Sequence, residues 1–202
     1  MTNTEITVLR FGGHRLPRAL APLGCHDDPD AAGIDAAVEG TSRVVVVGST
    51  ADLAAVLTRL MRTERLDVEV ATVSRWRGAR RALTGVAQRI PLIRDETGTA
   101  LVGAAFWLPP GEQRVIRGEA VVDDDVLFDG EVTAVRIEPT VSMPGLRAAA
   151  LTSRMRPRRW LTGRAVQLGT TGARVVRDGV ELSREAKRAA FYRHTTGWLR
   201  VG

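Results

Sequence analysis

Cysteine is almost absent from this chain, which has only Cys25. One cysteine cannot form an internal disulfide, and this is typical of proteins in a reducing cytoplasm. Long apolar runs are also missing, because Arg, Asp or Gly interrupts each one, so we expect no membrane-spanning segment. The N-terminal residues lack the basic region and apolar stretch of a signal peptide. We therefore expect a cytoplasmic chain.

Histidine and lysine are scarce as well. His14, His26 and His194 form no HExxH motif and no pair at metal-ligand spacing, so the sequence predicts no metal centre. Lys187 is the only lysine among 29 basic residues, a bias that reflects composition rather than ligand choice. Asp123–Asp125 lacks the spaced oxygen ligands of a calcium loop, and we interpret it as an acidic turn.

Charge is distributed unevenly along the 202 residues, whose formal net charge is +6. Residues 1–92 carry 12 basic and 10 acidic side chains, residues 93–142 carry 4 and 10, and residues 143–202 carry 13 and 3. The densest basic cluster runs from Arg154 to Trp160. It could bind nucleic acid, with Trp160 stacking on a base, or lie on anionic lipid. The interpretation we prefer is a solvated loop neutralised by the acidic 93–142 segment.

The first half of the chain alternates strand and helix patterns. Val44–Val47 is a continuous β-branched run, as in a strand buried on both faces, and apolar residues recur at helical spacing from Leu53 to Met61. Other expected elements are strands at 6–11 and 68–73, a short helix near 15–20, a loop at 25–33, a helical turn at 34–38 and a helix at 76–88. This order predicts a mostly parallel, Rossmann-like sheet over residues 1–92.

From about Ile90 the pattern changes to short apolar runs between turn residues. Strands are expected at 90–93, 100–108, 115–122, 132–137, 146–151, 165–168, 173–176 and 198–201, with turns at 97–98, 109–111, 123–125, 129–131 and 178–179. This pattern predicts an antiparallel β-sandwich over residues 93–202, which makes the whole chain an α/β protein. Residues 183–194 fit a strand or a helix, and the sequence does not decide between them.

The turn Gly48-Ser49-Thr50-Ala51-Asp52 joins the buried strand to its helix, a place where α/β proteins often bind phosphate. Gly48, Ser49 and Thr50 are therefore candidate cofactor-binding residues. However, Ser49 or Thr50 can instead cap the helix, and the charge of Asp52 would repel a phosphate. The helix cap is the favoured interpretation.

Gly12 and Gly13, after the first strand, are a second candidate cofactor-binding pair. Two glycines let a backbone approach a ligand closely, and Arg15 could pair with a phosphate. A simple strand-to-helix turn explains the same residues and is favoured over the binding site.

The order of these pieces resembles the catalytic domain of the diacylglycerol kinase and lipid kinase family, in which a small nucleotide-binding α/β domain precedes a β-sandwich. The family's strand–GGDGT–helix motif aligns with the run that starts at Val44. Gly48 takes the first glycine, Thr50 stands where the family has its aspartate, and Ser49 and Ala51 replace two glycines. The family's glycine-rich loop would fall at 74–78 and its acidic turn at 177–181.

This resemblance implies Mg-ATP as the phosphoryl donor, a lipid or small alcohol as acceptor, and a site in a cleft between the two domains. It implies Asp178 or Glu181 as the catalytic general base. The side chains at Ser49 and Ala51 and the missing aspartate at Thr50 imply impaired catalysis, because phosphoryl transfer depends on positioning and charge stabilisation.

We therefore expect a divergent, lipid-kinase-like protein with impaired catalysis that binds a nucleotide or phosphorylated ligand. One alternative is a non-enzymatic, arginine-rich adaptor that contacts nucleic acid or an anionic membrane through residues 154–160. The other is a structural or oligomer-forming protein without a small ligand.

Overall fold

The computed structural model describes residues 5–73 and 78–202. The chain forms two compact units, the first from Met1–Ile90 with Thr196–Gly202 and the second from Pro91–Thr195. The predicted division between residues 92 and 93 differs from this at the end of the chain, because the last seven residues belong to the first unit. Residues 74–77, which include the start of the predicted helix at 76–88, lie outside the described residues.

The described residues of the first unit form a six-stranded sheet at its centre. Its strands are β1 (Ile6–Arg10), β2 (Gly24–Asp27), β3 (Arg43–Val47), β4 (Glu69–Thr72), β5 (Ala87–Ile90) and, from the end of the chain, β17 (Trp198–Val201). The spatial order is β2-β1-β3-β4-β17-β5. All neighbours pair in parallel except β17 and β5, which are antiparallel.

The run of valines forms the buried centre of this sheet, as predicted. Every residue of β3 is buried, and β3 pairs in parallel with β1 on one side and β4 on the other. Val45 and Val47 pack against Leu20 and Ala79, which belong to a 3₁₀ turn at Arg18–Leu20 and to helix α3 (Ala79–Thr84). Because side chains alternate along a strand, Val44 and Val46 point to the opposite face.

Two further helices are found among the described residues of the first unit. Helix α1 (Ala31–Val38) packs against α2 (Thr50–Arg62) and β1. It begins before the predicted turn at 34–38, because Asp30 caps it by accepting a hydrogen bond of 2.7 Å from the Gly33 amide. Within the described residues, no helix is long and apolar enough to cross a bilayer.

Two predictions for the first unit are wrong. Strand β2 lies where a loop was expected; its four residues are exposed, so they show no apolar alternation, and parallel pairing with β1 defines the strand instead. Helix α3 ends at Thr84 rather than at residue 88. The chain at Gly85 passes so close to its neighbours that an added Cβ would lie 2.5 Å from the Arg81 carbonyl and 2.8 Å from Val201 Cγ1.

Arg43 is a buried arginine at the start of the central strand. Its Nε donates to Glu69 at 2.7 Å, and its other nitrogens donate to the carbonyls of Ala82 (3.1 Å), Leu83 (2.7 Å) and Gly85 (3.0 Å). These carbonyls end α3 and have no partner within the helix. Arg43 therefore fixes α3 against the sheet.

Eleven strands make up the second unit, all of whose residues are described. They are β6 (Ile93–Asp95), β7 (Ala100–Leu101), β8 (Ala105–Leu108), β9 (Ile116–Val122), β10 (Asp125–Val132), β11 (Ala134–Pro139), β12 (Leu146–Leu151), β13 (Pro157–Gly163), β14 (Ala165–Arg177), β15 (Val180–Glu181) and β16 (Ala186–Arg193). All pairs between them are antiparallel.

The long strand β14 folds this sheet into a two-layer sandwich. Its first part pairs with β9 and β16, and its last part pairs with β8. As a result β10 contacts β12 and β13 contacts β9 across the core. Trp107 and Phe191 lie in this core with ring centroids 6.3 Å apart. The predicted α/β class, a Rossmann-like sheet followed by an antiparallel sandwich, is confirmed.

Some predicted elements of the second unit need correction. The ambiguous segment 183–194 contains strand β16, in which Ala189 and Phe191 are buried in alternation. The expected turn at 129–131 lies inside β10, where Gly130 pairs with Gly118. The chain reverses at Asp123 and Asp124, within the expected turn at 123–125. The strand at 198–201 exists but pairs in the first sheet.

Candidate functional site

The carboxyl ends of β1 and β3 meet at one edge of the first sheet. Where the strands end, the Phe11 amide donates to the Val47 carbonyl at 2.9 Å. Strand β2 lies on the other side of β1, so the chain leaves β1 and β3 in opposite directions. In parallel α/β sheets such a divergence opens the crevice where ligands bind. The candidate site is therefore formed by the segments that follow these two strands.

Gly12 and Gly13, a predicted cofactor-binding pair, directly follow β1. Their φ angles are +60° and +63°, a left-handed conformation that glycine adopts without strain. The Gly12 amide donates to Asp28 Oδ1 at 2.6 Å, and the Asp28 amide donates to the Arg10 carbonyl at 2.7 Å. A Cβ added at Gly13 would meet no atom within 4 Å. A ligand can thus approach Gly13, whereas the Gly12 amide is already bonded to a carboxylate that the sequence had placed in a plain loop.

Gly48, Ser49 and Thr50, the other predicted cofactor-binding segment, lead into α2. The Ser49 hydroxyl accepts from the Asp52 amide at 3.2 Å, and Asp52 Oδ2 accepts from the amide and the hydroxyl of Ser49, each at 2.7 Å. These reciprocal bonds form a capping box. The carboxylate lies so close to the chain that a Cβ added at Gly48 would be 2.7 Å from Oδ2. The helix-cap interpretation is confirmed.

This cap determines what the turn can bind. A phosphate at the start of α2 would find the amide and the hydroxyl of Ser49 already bonded to Asp52, and it would meet a carboxylate at the positive end of the helix dipole. The Cβ atoms of Ser49 and Ala51 also hold any ligand away from the backbone. The turn is therefore unsuited to cradle a phosphate.

A cavity of about 620 Å³ opens in the first unit, two residues beyond the glycine pair. Among the described residues, apolar side chains and three guanidinium groups share its lining: Arg15, Leu16, Pro17, Arg18, Ala19, Ala79 and Arg80. Arg18 and Arg80 are exposed. Guanidinium groups bind phosphate and carboxylate strongly, so the cavity suits an anion that also has an apolar part. The sequence pointed to Arg15 but not to Arg18 or Arg80, because only the fold brings them together.

The glycine-rich loop implied by the resemblance lies outside the described residues, apart from Gly78. Gly78 is the N-cap of α3 with a φ of −85°, and no side chain caps the helix there. The nearest atom to a Cβ added at Gly78 would be the Thr72 carbonyl oxygen at 3.6 Å, which is an ordinary contact. Nothing in the described surroundings requires glycine at this position.

Asp178 and Glu181, the predicted catalytic carboxylates, lie on the hairpin of β14 and β15. Asp178 has a φ of +49°, and its two oxygens accept hydrogen bonds from the amides of Val102 (3.0 Å) and Gly103 (2.6 Å). Burial raises the pKa of Asp178, and these hydrogen bonds oppose the rise. Glu181 is exposed and forms a salt bridge with Arg174 at 3.2 Å. The two carboxylates belong to one hairpin but have different partners, and their catalytic roles stay predictions.

The basic cluster 154–160 forms the tip of the β12–β13 hairpin and the start of β13. The arginines at 154, 156, 158 and 159 are exposed, and none forms a salt bridge with a carboxylate of the described residues. Glu131 and Glu138, from the acidic segment, bind arginines outside the cluster. The guanidinium of Arg147 stacks on the Trp160 ring, 4.3 Å from its centroid. The cluster is therefore a solvated loop, as the preferred interpretation has it, and its neutralisation by the acidic segment stays a prediction.

The remaining candidate residues show no constellation for catalysis. No three His, Cys, Asp or Glu side chains group around a possible metal position in the part of the chain that the structure describes. Cys25 is exposed on β2, and its pKa is raised by partial desolvation and by a 3.5 Å hydrogen bond to Asp27. A raised pKa keeps the thiol protonated at neutral pH, which makes it a poor nucleophile.

Several solved structures share this fold at low sequence identity. A diacylglycerol kinase from Bacillus anthracis superposes with a TM-score of 0.71 at 10% identity, covering 100% of this chain and 98% of that chain. An NAD kinase from Archaeoglobus fulgidus, solved in complex with ATP, gives 0.65 at 11% identity and covers 98% and 93%. A yeast NADH kinase complexed with NADH gives 0.64 at 8% identity and covers 100% and 84%.

No protein-family model and no curated protein sequence matches the chain. The structural matches nevertheless extend over both units, so the chain has the fold of the diacylglycerol kinases and NAD kinases. The fold implied by the sequence resemblance is confirmed.

Proposed function

We propose that this chain is a divergent kinase-fold protein that binds a nucleotide or another phosphorylated ligand and transfers little or no phosphate. The ligand binds at the carboxyl edge of the first sheet, beside Gly13 and the arginine-lined cavity. Two structural neighbours were solved with ATP and with NADH, which supports a nucleotide as one class of ligand. The lone cysteine also favours a reducing compartment such as the cytoplasm.

The capping box carries the proposal of impaired catalysis. Asp52 accepts both donors of Ser49 and lies against Gly48, where the resembling family has bare glycine backbone. Thr50 stands where that family has its aspartate, so the chain lacks the carboxylate expected to help place a magnesium-bound nucleotide. Phosphoryl transfer depends almost entirely on positioning and on neutralising charge. The loss of both features leaves the turn as a helix cap.

The arginine-lined cavity supports the proposal that binding remains. Arg18 and Arg80 project from different segments, one after β1 and one in α3, and both line the same space. Leu16, Pro17 and Ala79 supply an apolar wall that could hold an adenine ring or an acyl chain. The shared chemistry of these ligands is a phosphate attached to an apolar group, so nucleotides and lipid phosphates are both tested below.

Asp178 has a structural role in this proposal. Transfer from Mg-ATP would need a base to accept the proton of the acceptor hydroxyl, and a carboxylate with a raised pKa suits that task. Yet both oxygens of Asp178 already hold backbone amides, and these bonds tie its hairpin to the segment at Val102. We propose that Asp178 stabilises this turn, and that Glu181 pairs with Arg174 rather than acting on a substrate.

The test is thermal unfolding with and without Mg-ATP, ADP, inorganic phosphate and a lysophosphatidic acid. A ligand that binds only the folded protein raises its stability with concentration. We expect saturable stabilisation by ATP and ADP or by the lipid phosphate, and its loss in R18E/R80E. The matched control R114E/R184E changes the same charge at exposed positions of the second unit and should bind normally.

Transfer is tested with labelled ATP, magnesium and a mixed lipid extract. Robust labelling by the native chain would contradict the proposal, and its loss in a folded Asp178→Asn variant would make Asp178 the base. No stabilisation by any of the four ligands would contradict the binding part. The proposal would be supported if the native chain transfers no label and the triple variant S49G/T50D/A51G binds ATP more tightly than the native chain. That result would indicate a site that has lost its chemistry.

A second candidate function is the non-enzymatic adaptor. Its support is that the arginines of the 154–160 cluster are exposed and have no carboxylate partner among the described residues. Contact with nucleic acid or anionic membrane through this cluster would weaken steeply with salt, because bound counterions are released. Replacing Arg156, Arg158 and Arg159 with Ala would flatten that dependence. Binding that is insensitive to salt or to this triple variant would exclude the adaptor.

A further inference from the structure

A cavity of about 280 Å³ opens in the second unit, beside the start of β14. The polar residues of its lining are Asp123, Arg164, Tyr192, Arg193, His194 and Thr195. Strand β14 runs for thirteen residues from this cavity before it reaches the Asp178 hairpin. The cavity is therefore separate from that hairpin, and it shares no residue with the arginine-lined cavity of the first unit.

Hydrogen bonds between three segments hold the wall of this cavity in place. The Arg193 amide donates to the Arg164 carbonyl at 2.7 Å, which joins the end of β16 to the residue before β14. The carboxylate of Asp123 accepts from the Arg164 amide at 3.0 and 2.9 Å and from the Ala165 amide at 2.9 Å. Both oxygens of Asp123 are thus occupied by the backbone, and the two arginines are neighbours.

Neither of these arginines has a counter-ion. Arg164 is exposed and Arg193 is half-buried, and neither forms a salt bridge with a carboxylate of the described residues. Arg193 Nη1 donates to the Pro144 carbonyl and to the Met143 sulfur, each at 2.9 Å, and both acceptors are neutral. The guanidinium of Arg193 is therefore held in place while its charge stays uncompensated.

Tyr192 adds a hydrogen-bond donor to the cavity. Its hydroxyl oxygen accepts from Arg94 Nη1 at 2.5 Å, and the Arg94 guanidinium stacks on the Tyr192 ring, 4.2 Å from the centroid. A hydroxyl that accepts a bond from an arginine keeps its own proton to donate. Arg94 is also without a carboxylate partner in the described part of the chain, so a third positive charge lies next to the cavity wall.

The size and charge of the cavity select a small dianion. Its volume lies below the range of about 300–1,000 Å³ that is typical of sites for larger organic ligands. Three arginines and one carboxylate leave an excess of two positive charges. Guanidinium groups bind phosphate oxygens through paired N–H donors. The hydroxyls of Tyr192 and Thr195 supply donors for the additional oxygen that a phosphate has and a carboxylate lacks.

We propose that the cavity at the start of β14 binds a phosphate dianion, either inorganic phosphate or the phosphate group of a small monoester. Arg164 and Arg193 contact the phosphate oxygens, and Tyr192 donates its hydroxyl proton to them. Arg94 positions Tyr192. This inference is independent of the proposed function, because the two cavities belong to different units.

Isothermal titration calorimetry of the full chain with inorganic phosphate and with glycerol 3-phosphate tests this site. The titrations use the wild type and R18E/R80E, in which the arginine-lined cavity does not contribute. We expect saturable binding in both chains. In the R18E/R80E background, Arg164→Glu should weaken binding on the order of 100-fold, because it replaces a charge-assisted bond with a repulsive carboxylate. Tyr192→Phe keeps the ring on Arg94 and should weaken binding roughly 3- to 10-fold.

The control Arg184→Glu makes the same charge change at an exposed position of the second unit, outside the cavity, and should bind phosphate normally. Should Arg164→Glu fail to fold by circular dichroism, Arg164→Gln replaces it and should weaken binding on the order of 10-fold. Tighter binding of glycerol 3-phosphate than of inorganic phosphate would identify a monoester as the ligand, and equal binding would identify the free ion.

Three results would overturn the proposal. The first is phosphate binding by the wild type that is lost in R18E/R80E, or no binding by either chain. The former would assign phosphate to the arginine-lined cavity and leave the proposed function standing. The second is binding that Arg164→Glu and Tyr192→Phe leave unchanged. The third is binding of acetate or malonate as tight as that of phosphate, which would show a site without preference for a phosphate group.

Discussion

Replacing Asp52 with alanine removes one half of the capping box at the start of α2. The change deletes the acceptor of the Ser49 amide and hydroxyl, both 2.7 Å from Asp52 Oδ2, and leaves the Ser49 side chain free to keep its bond to the residue-52 amide. Helix α2 buries Leu53, Val56 and Leu57 in the first unit, so a weakened N-terminus lowers the stability of that unit and not only of the helix.

The structure sets the size of this effect. The lost hydrogen bond to the Ser49 amide is worth about 1 kcal/mol, and the lost interaction of a carboxylate with the helix dipole is worth about 0.3–1 kcal/mol. Alanine has the higher helix propensity and returns about 0.5 kcal/mol. We expect Asp52→Ala to lower the free energy of unfolding by about 1 kcal/mol. Ser49→Ala should have a similar effect, and the double variant should lose less than the sum because both residues belong to one box.

Urea unfolding of the variants with and without inorganic phosphate measures both consequences. Removing the carboxylate frees the amide of Ser49, so phosphate should stabilise Asp52→Ala more than the wild type. Glu39→Ala removes an exposed carboxylate from the end of α1 and serves as the control. The reasoning is refuted if Asp52→Ala unfolds at the same urea concentration as the wild type and gains no response to phosphate.

Three further predictions concern buried or paired charges. Arg43→Met should lower the free energy of unfolding by about 3 kcal/mol in urea, because it leaves the carbonyls that end α3 without donors; an unchanged midpoint would contradict this. Burial raises the pKa of Asp178 in the folded chain. The stability that Asp178 contributes therefore falls as the pH rises from about 4, the pKa in the unfolded chain, to the higher pKa of the folded chain. Asp178→Asn should remove this decrease of the free energy of unfolding with pH, and a decrease that persists in the variant would belong to another group. The hydrogen bond from Arg59 lowers the pKa of Asp35. The pair therefore stabilises the fold above about pH 4, and this stabilisation is lost on acidification. The free energy of unfolding of Asp35→Asn should depend less on pH in the acidic range, and an unaltered dependence would show that the pair contributes nothing.

A strand that is buried on both faces can be predicted from its run of apolar residues, whereas an exposed strand has no such pattern. Val44–Val47 was predicted with its parallel neighbours because a β-branched run without polar residues is typical of a central strand that is covered on both faces. Strand β2 shows the opposite case, since Gly24–Asp27 is exposed and only its register with β1 defines it. The segment around Ala189 stayed ambiguous because small apolar residues fit helical and alternating spacing equally, and pairing with β14 decided it.

The candidate site was predictable where one segment contains all of its parts. The capping box could be read from Ser49 and Asp52 because they are three residues apart in one helix start. The arginine-lined cavity could not, since Arg18 and Arg80 are distant in sequence and meet only through the packing of two elements on one face of the sheet. The position of Asp28 was likewise hidden, because its bond to the Gly12 amide depends on the pairing of β1 with β2.

The return of β17 to the first sheet also governs the order in which the chain can fold. Strand β17 is the only hydrogen-bonded link between β4 and β5 within the described residues, and its partners Val70 and Arg200 are about 130 residues apart. Closing so long a loop has a large entropic cost and slows folding. During synthesis the first 90 residues emerge without the strand that joins β4 to β5, whereas the second unit is continuous and can fold as soon as it is made. The N-terminal unit is therefore the one that is completed last.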